Sequence, residues 1–321
     1  MSLPRTLISG CGTCVPERII TNDELSRTLD TSDEWIFERT GIHARHIASP
    51  TDSVAGLGAK AGRQALDQAR FPAEELDGIL LATTSPDHFL PASATKIQAL
   101  LGAKKAFAFD VQAVCSGFLY ALSVADAMIR SGQARHLLVI GADIMSRLVD
   151  WTDRSTCVLF GDGAGAVFVQ ASADPERGIL STHLYSDGTA YDQLYADAST
   201  PLPQSRCKMI MNGRSVYLKA IECMSDAVRT ALEQHNLTVS DLDLFVAHQA
   251  NKRIIDAVAK SLDLPSEKAV CIMETFANTS AATIPMALTI AERDGRLRPG
   301  HCVALAAMGA GFTWGSALLR W

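Results

Sequence analysis

The chain has 321 residues, 48% of them hydrophobic and 20% charged, enough apolar material for a large core and, at about 150 residues per domain, for roughly two domains. Its formal net charge of -6 excludes the basic field that nucleic-acid binding usually needs, so any acidic partner must find a local patch. Eight cysteines are too sparse for a disulfide scaffold, no apolar run reaches the ~18 residues of a membrane span, and Met1 to Gly10 lacks a basic stretch followed by an apolar core; the expectation is a reduced, soluble, cytoplasmic protein that does not engage a membrane or nucleic acid.

In chain order, short apolar runs alternate with stretches of helical period: Gly78 to Thr84, Thr95 to Leu101, Ala106 to Val111, Gly117 to Arg130 and His136 to Ile140. That alternation predicts an α/β fold with a mainly parallel central sheet. Glycine-rich Gly161 to Gly165 is followed by AVFVQ, a strand rather than the helix a dinucleotide loop requires, so it reads as a hairpin turn. Tyr185 to Arg206, with Pro201 and Pro203, reads as a surface excursion.

The chain repeats itself. The segment from Cys115 can be laid on the segment from Asn278, with Gly132 and Gly295 falling at the same interval; Leu76 to Thr84 matches Leu242 to Ala250 upstream, and Gly161 to Val169 has an echo in Met308 to Leu319 downstream. Three matches in one order predict two similar α/β halves, 1–170 and 171–321.

Under this alignment Cys115 and Asn278 occupy equivalent places, each after a strand and before a helix, and His248 ends the repeated strand Leu244 to Ala247. The carboxyl ends of parallel strands are where α/β folds place ligands. A Cys-His-Asn group suits thioester chemistry: a thiolate takes an acyl group and keeps it as another thioester, ready for a second transfer. The helix from Gly117 is expected to favour thiolate at Cys115. His248 and Asn278 can donate to a developing oxyanion, and backbone N–H groups in Gly309-Ala310-Gly311 can add another donor. The competing reading of Cys115, an inert buried thiol, fits the other seven cysteines: Cys11 and Cys14 form a CxxC without a second pair, and Cys157, Cys207, Cys223, Cys271 and Cys302 lack partners in sequence. His43, His46, His88, His136, His183, His235 and His301 show no metal-ligand spacing, and no metal is expected.

VQAVCSGF around Cys115, HQANKRII from His248, ANTSAATIP around Asn278, TSDEWIFERTGI from Thr31, LFGDGAGAV and the C-terminal GAGFTWGSALLRW together resemble the signature segments of β-ketoacyl-acyl-carrier-protein synthase III, the initiating condensing enzyme of type II fatty-acid synthesis. The resemblance spans nearly the whole chain. It implies a thiolase-like, five-layer αβαβα fold of two pseudo-symmetric halves, and a homodimer. It implies that Cys115 takes an acyl group from acyl-CoA, that His248 and Asn278 stabilise the enolate formed when malonyl-acyl-carrier protein loses CO2, and that the backbone of Cys115 and Ala310 forms the oxyanion hole. Acyl-CoA is then a substrate and no cofactor is needed. By the same resemblance Trp35 and Arg154 hold the adenine of CoA, Arg39 its phosphates and Asn251 its pantetheine arm, while Gln249, Ala250, Asn251, Lys252, Arg253 and Lys260 face the carrier protein.

Two departures concern the acyl pocket. Leu90 stands before Pro91, where many relatives place an aromatic on a loop reaching the partner subunit, and Met308 stands where Phe is frequent. Smaller or more flexible side chains leave room for a larger starter. Two other readings therefore stay open: a secondary-metabolite condensing enzyme using a bulkier acyl or aryl starter, and a non-catalytic acyl-CoA or carrier-protein binding module.

Overall fold

The computed structural model describes residues 3–172, 174–197 and 208–321. The N-terminal part runs β1 (Arg5–Cys14), β2 (Arg18–Thr21), α1 (Asn22–Leu25), α2 (Asp33–Thr40), β3 (Ala44–Ile47), α3 (Val54–Ala69), β4 (Gly78–Ala82), α4 (Ser93–Leu101), β5 (Phe107–Val111), α5 (Gly117–Arg130), β6 (His136–Ile144) and β7 (Asp162–Ser172). The C-terminal part runs β8 (Gly178–Ser186), β9 (Leu194–Asp197), β10 (Lys208–Met211), α6 (Gly213–Gln234), β11 (Leu244–Ala247), α7 (Lys252–Ser261), α8 (Met273–Phe276), α9 (Thr283–Arg293), β12 (Cys302–Gly309) and β13 (Thr313–Arg320).

Five strands form one sheet in the order β1-β7-β6-β4-β5, parallel across β6-β4-β5 and antiparallel at β1 and β7. Four form the other in the order β8-β13-β12-β11, parallel only at β12-β11. Beyond β11 a parallel bridge from Phe245 to Ala269 stands where β5 stands in the first sheet. The two orders therefore correspond strand for strand. The duplication reaches the backbone: Val114 and Ala277, equivalent in the alignment, have φ of 48° and 53°, and Gly132 and Gly295 have 77° and 72°.

Composition decides which helix lies in which layer. Eight of the eleven residues of α9 and eight of the fourteen of α5 are buried, more than one apolar stripe supplies, and such helices belong between two sheets. There they share one core with Leu80, Val139, Val246 and Leu305. Helix α7 buries only Ile254, Ile255, Val258 and Ala259 and so covers an outer face, as α3 and α4 do on the other side. The result is the five-layer αβαβα arrangement.

Three sequence expectations change. The two large sheets are not mainly parallel, since among the described residues four of the seven strand pairings within them are antiparallel. Gly161 to Gly165 does not make a hairpin turn: from Asp162 on, it is strand β7, paired on both sides. Helix α9 crosses so closely that a Cβ on Gly165 would lie 2.5 Å from the Met286 nitrogen, which explains the small residues. In the Tyr185 to Arg206 region, a 3₁₀ turn at Gly188–Gln193 is followed by β9, which pairs antiparallel with β10; Pro201, Pro203, Arg206 and Cys207 lie outside the described residues.

Candidate active site

Cys115 sits in the 3₁₀ turn Val114–Ser116 immediately before α5 and is 8% exposed. The turn is held from inside: Ser116 Oγ donates to the Ala113 carbonyl at 2.7 Å and lies 2.8 Å from Thr313 Oγ1. Val114 pays for the sharp approach with left-handed backbone, unfavourable for a β-branched residue. Gly309 packs against this turn so tightly that a Cβ there would meet the Cys115 nitrogen at 2.9 Å. Ala310 therefore begins the next turn beside the nucleophile, half-buried.

His248 follows β11, and its N–H donates to the Ala306 carbonyl at 2.8 Å; the residue is 2% exposed. Asn278 is equally enclosed. Its N–H donates to the Leu159 carbonyl and its own carbonyl accepts from Gly161, both at 3.0 Å. Asn278 Oδ1 accepts from the Ser280 N–H at 2.8 Å, which leaves the amide NH2 as the end able to donate to a ligand.

The turn between Asn278 and Thr283 brings the three residues together. Cys115 Sγ donates to Ser280 Oγ at 3.7 Å, and His248 Nδ1 lies 2.7 Å from Thr283 Oγ1. Asp143, fully buried at the end of β6, accepts from the Ala281 N–H at 3.1 Å and from Thr83, Thr84 and Ser85, tying this C-terminal turn to the N-terminal sheet. Burial raises the Asp143 carboxyl, while these donors favour its charged form. Ser280, Thr283 and Asp143 were invisible as site residues in the sequence; only the parallel placement of ANTSAATIP and VQAVCSGF in the repeat hinted that the whole turn mattered.

Burial governs the titration of the site. It pushes the Cys115 thiol up to about 12, with the Ser280 hydroxyl lowering it and the Asp143 charge raising it less strongly. Desolvation outweighs the hydrogen bonds that favour the charged form, so the resting group is a thiol rather than the expected thiolate. Burial also pushes His248 down to about 3, so its imidazole is neutral at physiological pH. Cys115 and His248 rest as an uncharged pair. Among the described residues no group of three or more His, Cys, Asp or Glu could hold a metal, and no helix is long and apolar enough to cross a membrane.

Trp35 is half-buried on α2, with the Arg39 and Arg154 guanidiniums 4.5 Å and 5.1 Å from its ring centroid. Arg154 is also bonded to the Asp30 carbonyl and lies 3.3 Å from its carboxylate. Asn251 caps α7 through the Arg253 N–H at 2.8 Å and donates to the Arg39 carbonyl at 3.0 Å. The same tie links α2 to α7.

On α7, Lys252 pairs with Asp256 at 2.6 Å, the Arg253 guanidinium lies 5.9 Å from the Tyr217 ring centroid, and Lys260 is exposed. Gln249 does not belong to that surface. It is fully buried and its amide is spent on the Ala247 and Val270 carbonyls and the Ile272 N–H, so it fastens the end of β11 and cannot face a carrier protein. Leu90 and Phe89 project to solvent, 83% and 90% exposed, whereas Met308 is buried in β12; within one chain the two proposed ends of the acyl pocket do not meet.

A doubled α/β fold whose halves bring a buried thiol, an imidazole and an amide to one turn defines a thiolase-like condensing acyltransferase. The model of 3-oxoacyl-[acyl-carrier-protein] synthase III matches residues 109–188, and that of its C-terminal part matches 232–321. The β-ketoacyl-[acyl-carrier-protein] synthase III of Granulibacter bethesdensis is 51% identical, over 99% of this chain and 100% of its own, and that of Paramagnetospirillum magneticum is 52% identical over 98% and 99%. The crystal structure of 3-oxoacyl-[acyl-carrier-protein] synthase III from Aquifex aeolicus superposes with a TM-score of 0.94 at 44% identity, covering 98% of this chain and 100% of that one. The priming β-ketosynthase of the R1128 polyketide pathway has the same TM-score at 35% identity, covering 99% and 97%. The chain belongs to the β-ketoacyl-acyl-carrier-protein synthase III family.

Proposed function

We infer that this enzyme condenses an acyl-CoA starter with malonyl-acyl-carrier protein, giving β-ketoacyl-carrier protein, CoA and CO2, and so initiates fatty-acid synthesis. The convergence of Cys115, His248 and Asn278 on the turn between 278 and 283 carries the reading. Retention of the buried thiol with its hydrogen-bonded partners speaks against a mere binding module. Full-length relatives at about half identity favour the fatty-acid role over a secondary-metabolite one.

The residues divide the work between the halves 1–170, which supplies Cys115, and 171–321, which supplies His248 and Asn278. Cys115 sulfur attacks the acyl-CoA carbonyl while the Cys115 and Ala310 N–H groups receive the oxyanion. The C–S bond to CoA breaks, and the thiol proton ends on CoA. Malonyl-carrier protein then binds; its C–C bond to the carboxylate breaks, CO2 leaves, and the electron pair delocalises onto the thioester oxygen. Neutral His248 and the Asn278 amide donate to that oxygen. The carbanion carbon attacks the acyl-Cys115 thioester, and the departing Cys115 thiolate takes up a proton from solvent.

Trp35, Arg39 and Arg154 form the proposed mouth for CoA, with Asn251 at its pantetheine arm, and acyl-CoA is substrate rather than resident cofactor. Ala250, Asn251, Lys252, Arg253 and Lys260 offer a basic local face to an acidic carrier protein despite the overall negative charge. Strand β5, paired on one side only by β4, and the exposed Phe89-Leu90 loop suit a second copy of the chain. A cytoplasmic location follows from this pathway.

Intact-mass measurement after exposure to a panel of acyl-CoAs tests the reading. One acyl group should appear on Cys115 and disappear, with CO2 release, when malonyl-carrier protein is added. An acyl group trapped on any other cysteine overturns the assignment.

A further inference from the structure

Thr283 opens α9 and is buried against the imidazole that the proposed mechanism uses. Its Oγ1 has two neighbours: His248 Nδ1 at 2.7 Å and the Ser280 carbonyl at 2.9 Å. A hydroxyl has one proton to give, so its direction and the tautomer of His248 are the same question. If the proton points to Ser280, Nδ1 must carry its own hydrogen and Nε2 is a bare lone pair, which would repel an enolate oxygen. If the proton points to Nδ1, Nε2 carries the hydrogen and donates.

Two observations favour the second arrangement, and the proposed chemistry requires it. The Ser280 carbonyl already accepts the backbone N–H of Thr283, so it does not need the hydroxyl. The contact to Nδ1 is the shorter of the two, within the range of a well-formed bond. Burial keeps the ring neutral, so a donor at Nε2 exists only if Nδ1 accepts. We propose that Thr283 is a positioning residue for the condensation, donating its hydroxyl hydrogen to His248 Nδ1 and thereby holding Nε2–H ready for the malonyl thioester oxygen.

The inference rests on the reading of His248 as an enolate donor, and it has a test that does not. Nitrogen NMR of the free enzyme labelled at histidine reports which ring nitrogen of His248 is protonated, with no substrate present; Nε2–H is expected, and Nδ1–H overturns the proposal. Thr283→Val keeps the shape and removes the hydroxyl. Its release of CO2 from malonyl-carrier protein should fall roughly 10- to 100-fold in kcat, as for other partners that orient a functional histidine, while Cys115 acylation and the KM for acyl-CoA stay as in wild type. Thr283→Ser should restore most of the loss. Equal loss in Val and Ser variants, or loss of acylation together with decarboxylation, means a packing role and sinks the proposal. His248→Ala separates the two ideas: if it decarboxylates normally, the reading of His248 fails whatever the tautomer.

Discussion

The Sγ atom of Cys115 and the Oγ atom of Ser280 lie 3.7 Å apart, although their residues belong to different halves of the duplicated chain. The contact joins the nucleophile to the turn that also carries Asn278 and Thr283. Moving either half would therefore displace all of the proposed chemistry at once.

That contact controls nucleophilicity. Burial pushes the Cys115 thiol up to about 12 even with the Ser280 hydroxyl lowering it. Ser280→Ala should slow alkylation of Cys115 about fivefold at fixed pH, since one hydrogen bond is worth about 1 kcal/mol. In the wild type the rate should climb about tenfold per pH unit between about pH 7 and pH 9, because the thiolate stays the minor species throughout. A plateau in that range would mean that the thiol ionises near its ordinary value.

His248 gives a second pH signature, in stability. Its folded value of about 3 lies below the 6.5 of an unperturbed imidazole. Below 6.5 the unfolded chain therefore binds a proton that the native state refuses, and stability falls as the pH drops towards 3. The slope is about 1.4 kcal/mol per pH unit, or about 2 kcal/mol at pH 5. Urea titrations at pH 7 and pH 5 should show this extra loss in wild type and not in His248→Gln. Identical losses in both proteins would place the acid sensitivity elsewhere.

Gly309 offers a steric test of the oxyanion hole. A Cβ there meets the Cys115 and Ser116 nitrogens at 2.9 and 3.1 Å, and backbone atoms cannot yield as a side-chain tip can. Gly309→Ala should lower the acylation rate at least about tenfold, consistent with overpacking of about 1–3 kcal/mol, with global structure retained by circular dichroism. Acylation at the wild-type rate would show that the turn relaxes without moving its N–H groups.

How far the sequence could be read depended on whether a feature was local. The strand and helix alternation from Gly78 to Ile140 survives almost unchanged, since hydrophobic periodicity is a local record of burial. The thiolate expectation at Cys115 fails because a helix dipole is visible in the next residues, whereas desolvation depends on β12 and the Ser280–Ala282 turn, distant in sequence, packing against the site. Gln249 was assigned to the surface because the resemblance supplied a position in the chain and no direction for the side chain. Ser280, Thr283 and Asp143 are common polar residues at strand ends and turns, and only their three-dimensional neighbours distinguish them.

In the proposed CoA mouth, Arg154 lies where the adenine has to enter. Its guanidinium is 5.1 Å from the centre of the Trp35 ring, while a third planar group between them needs about 7 Å, twice a van der Waals contact. The arginine must swing outward, against its bonds to Asp30. Exposed pairs of this kind are weak, so Asp30→Ala should tighten CoA binding modestly, about two- to fivefold by calorimetry, whereas Arg154→Ala should weaken it through loss of the stacking partner. Weaker binding in Asp30→Ala would make Asp30 a holder of Arg154 in its productive place.

The proposed acyl pocket supplies the last prediction. Leu90 is exposed in the single chain, so it can bound the pocket only by crossing to a partner whose buried Met308 lies at the other end. In that arrangement Leu90→Phe adds a ring to a closed space, where overpacking costs about 1–3 kcal/mol and shifts selectivity from several-fold to about a hundredfold towards shorter starters. Recognition of the carrier protein, on α7, should not change. Competition among acetyl-, butyryl- and octanoyl-CoA on wild type and variant measures the shift, and sedimentation of both proteins checks that the dimer persists. If the dimer persists and the product ratio is unchanged, Leu90 packs against the partner's surface without reaching its acyl group.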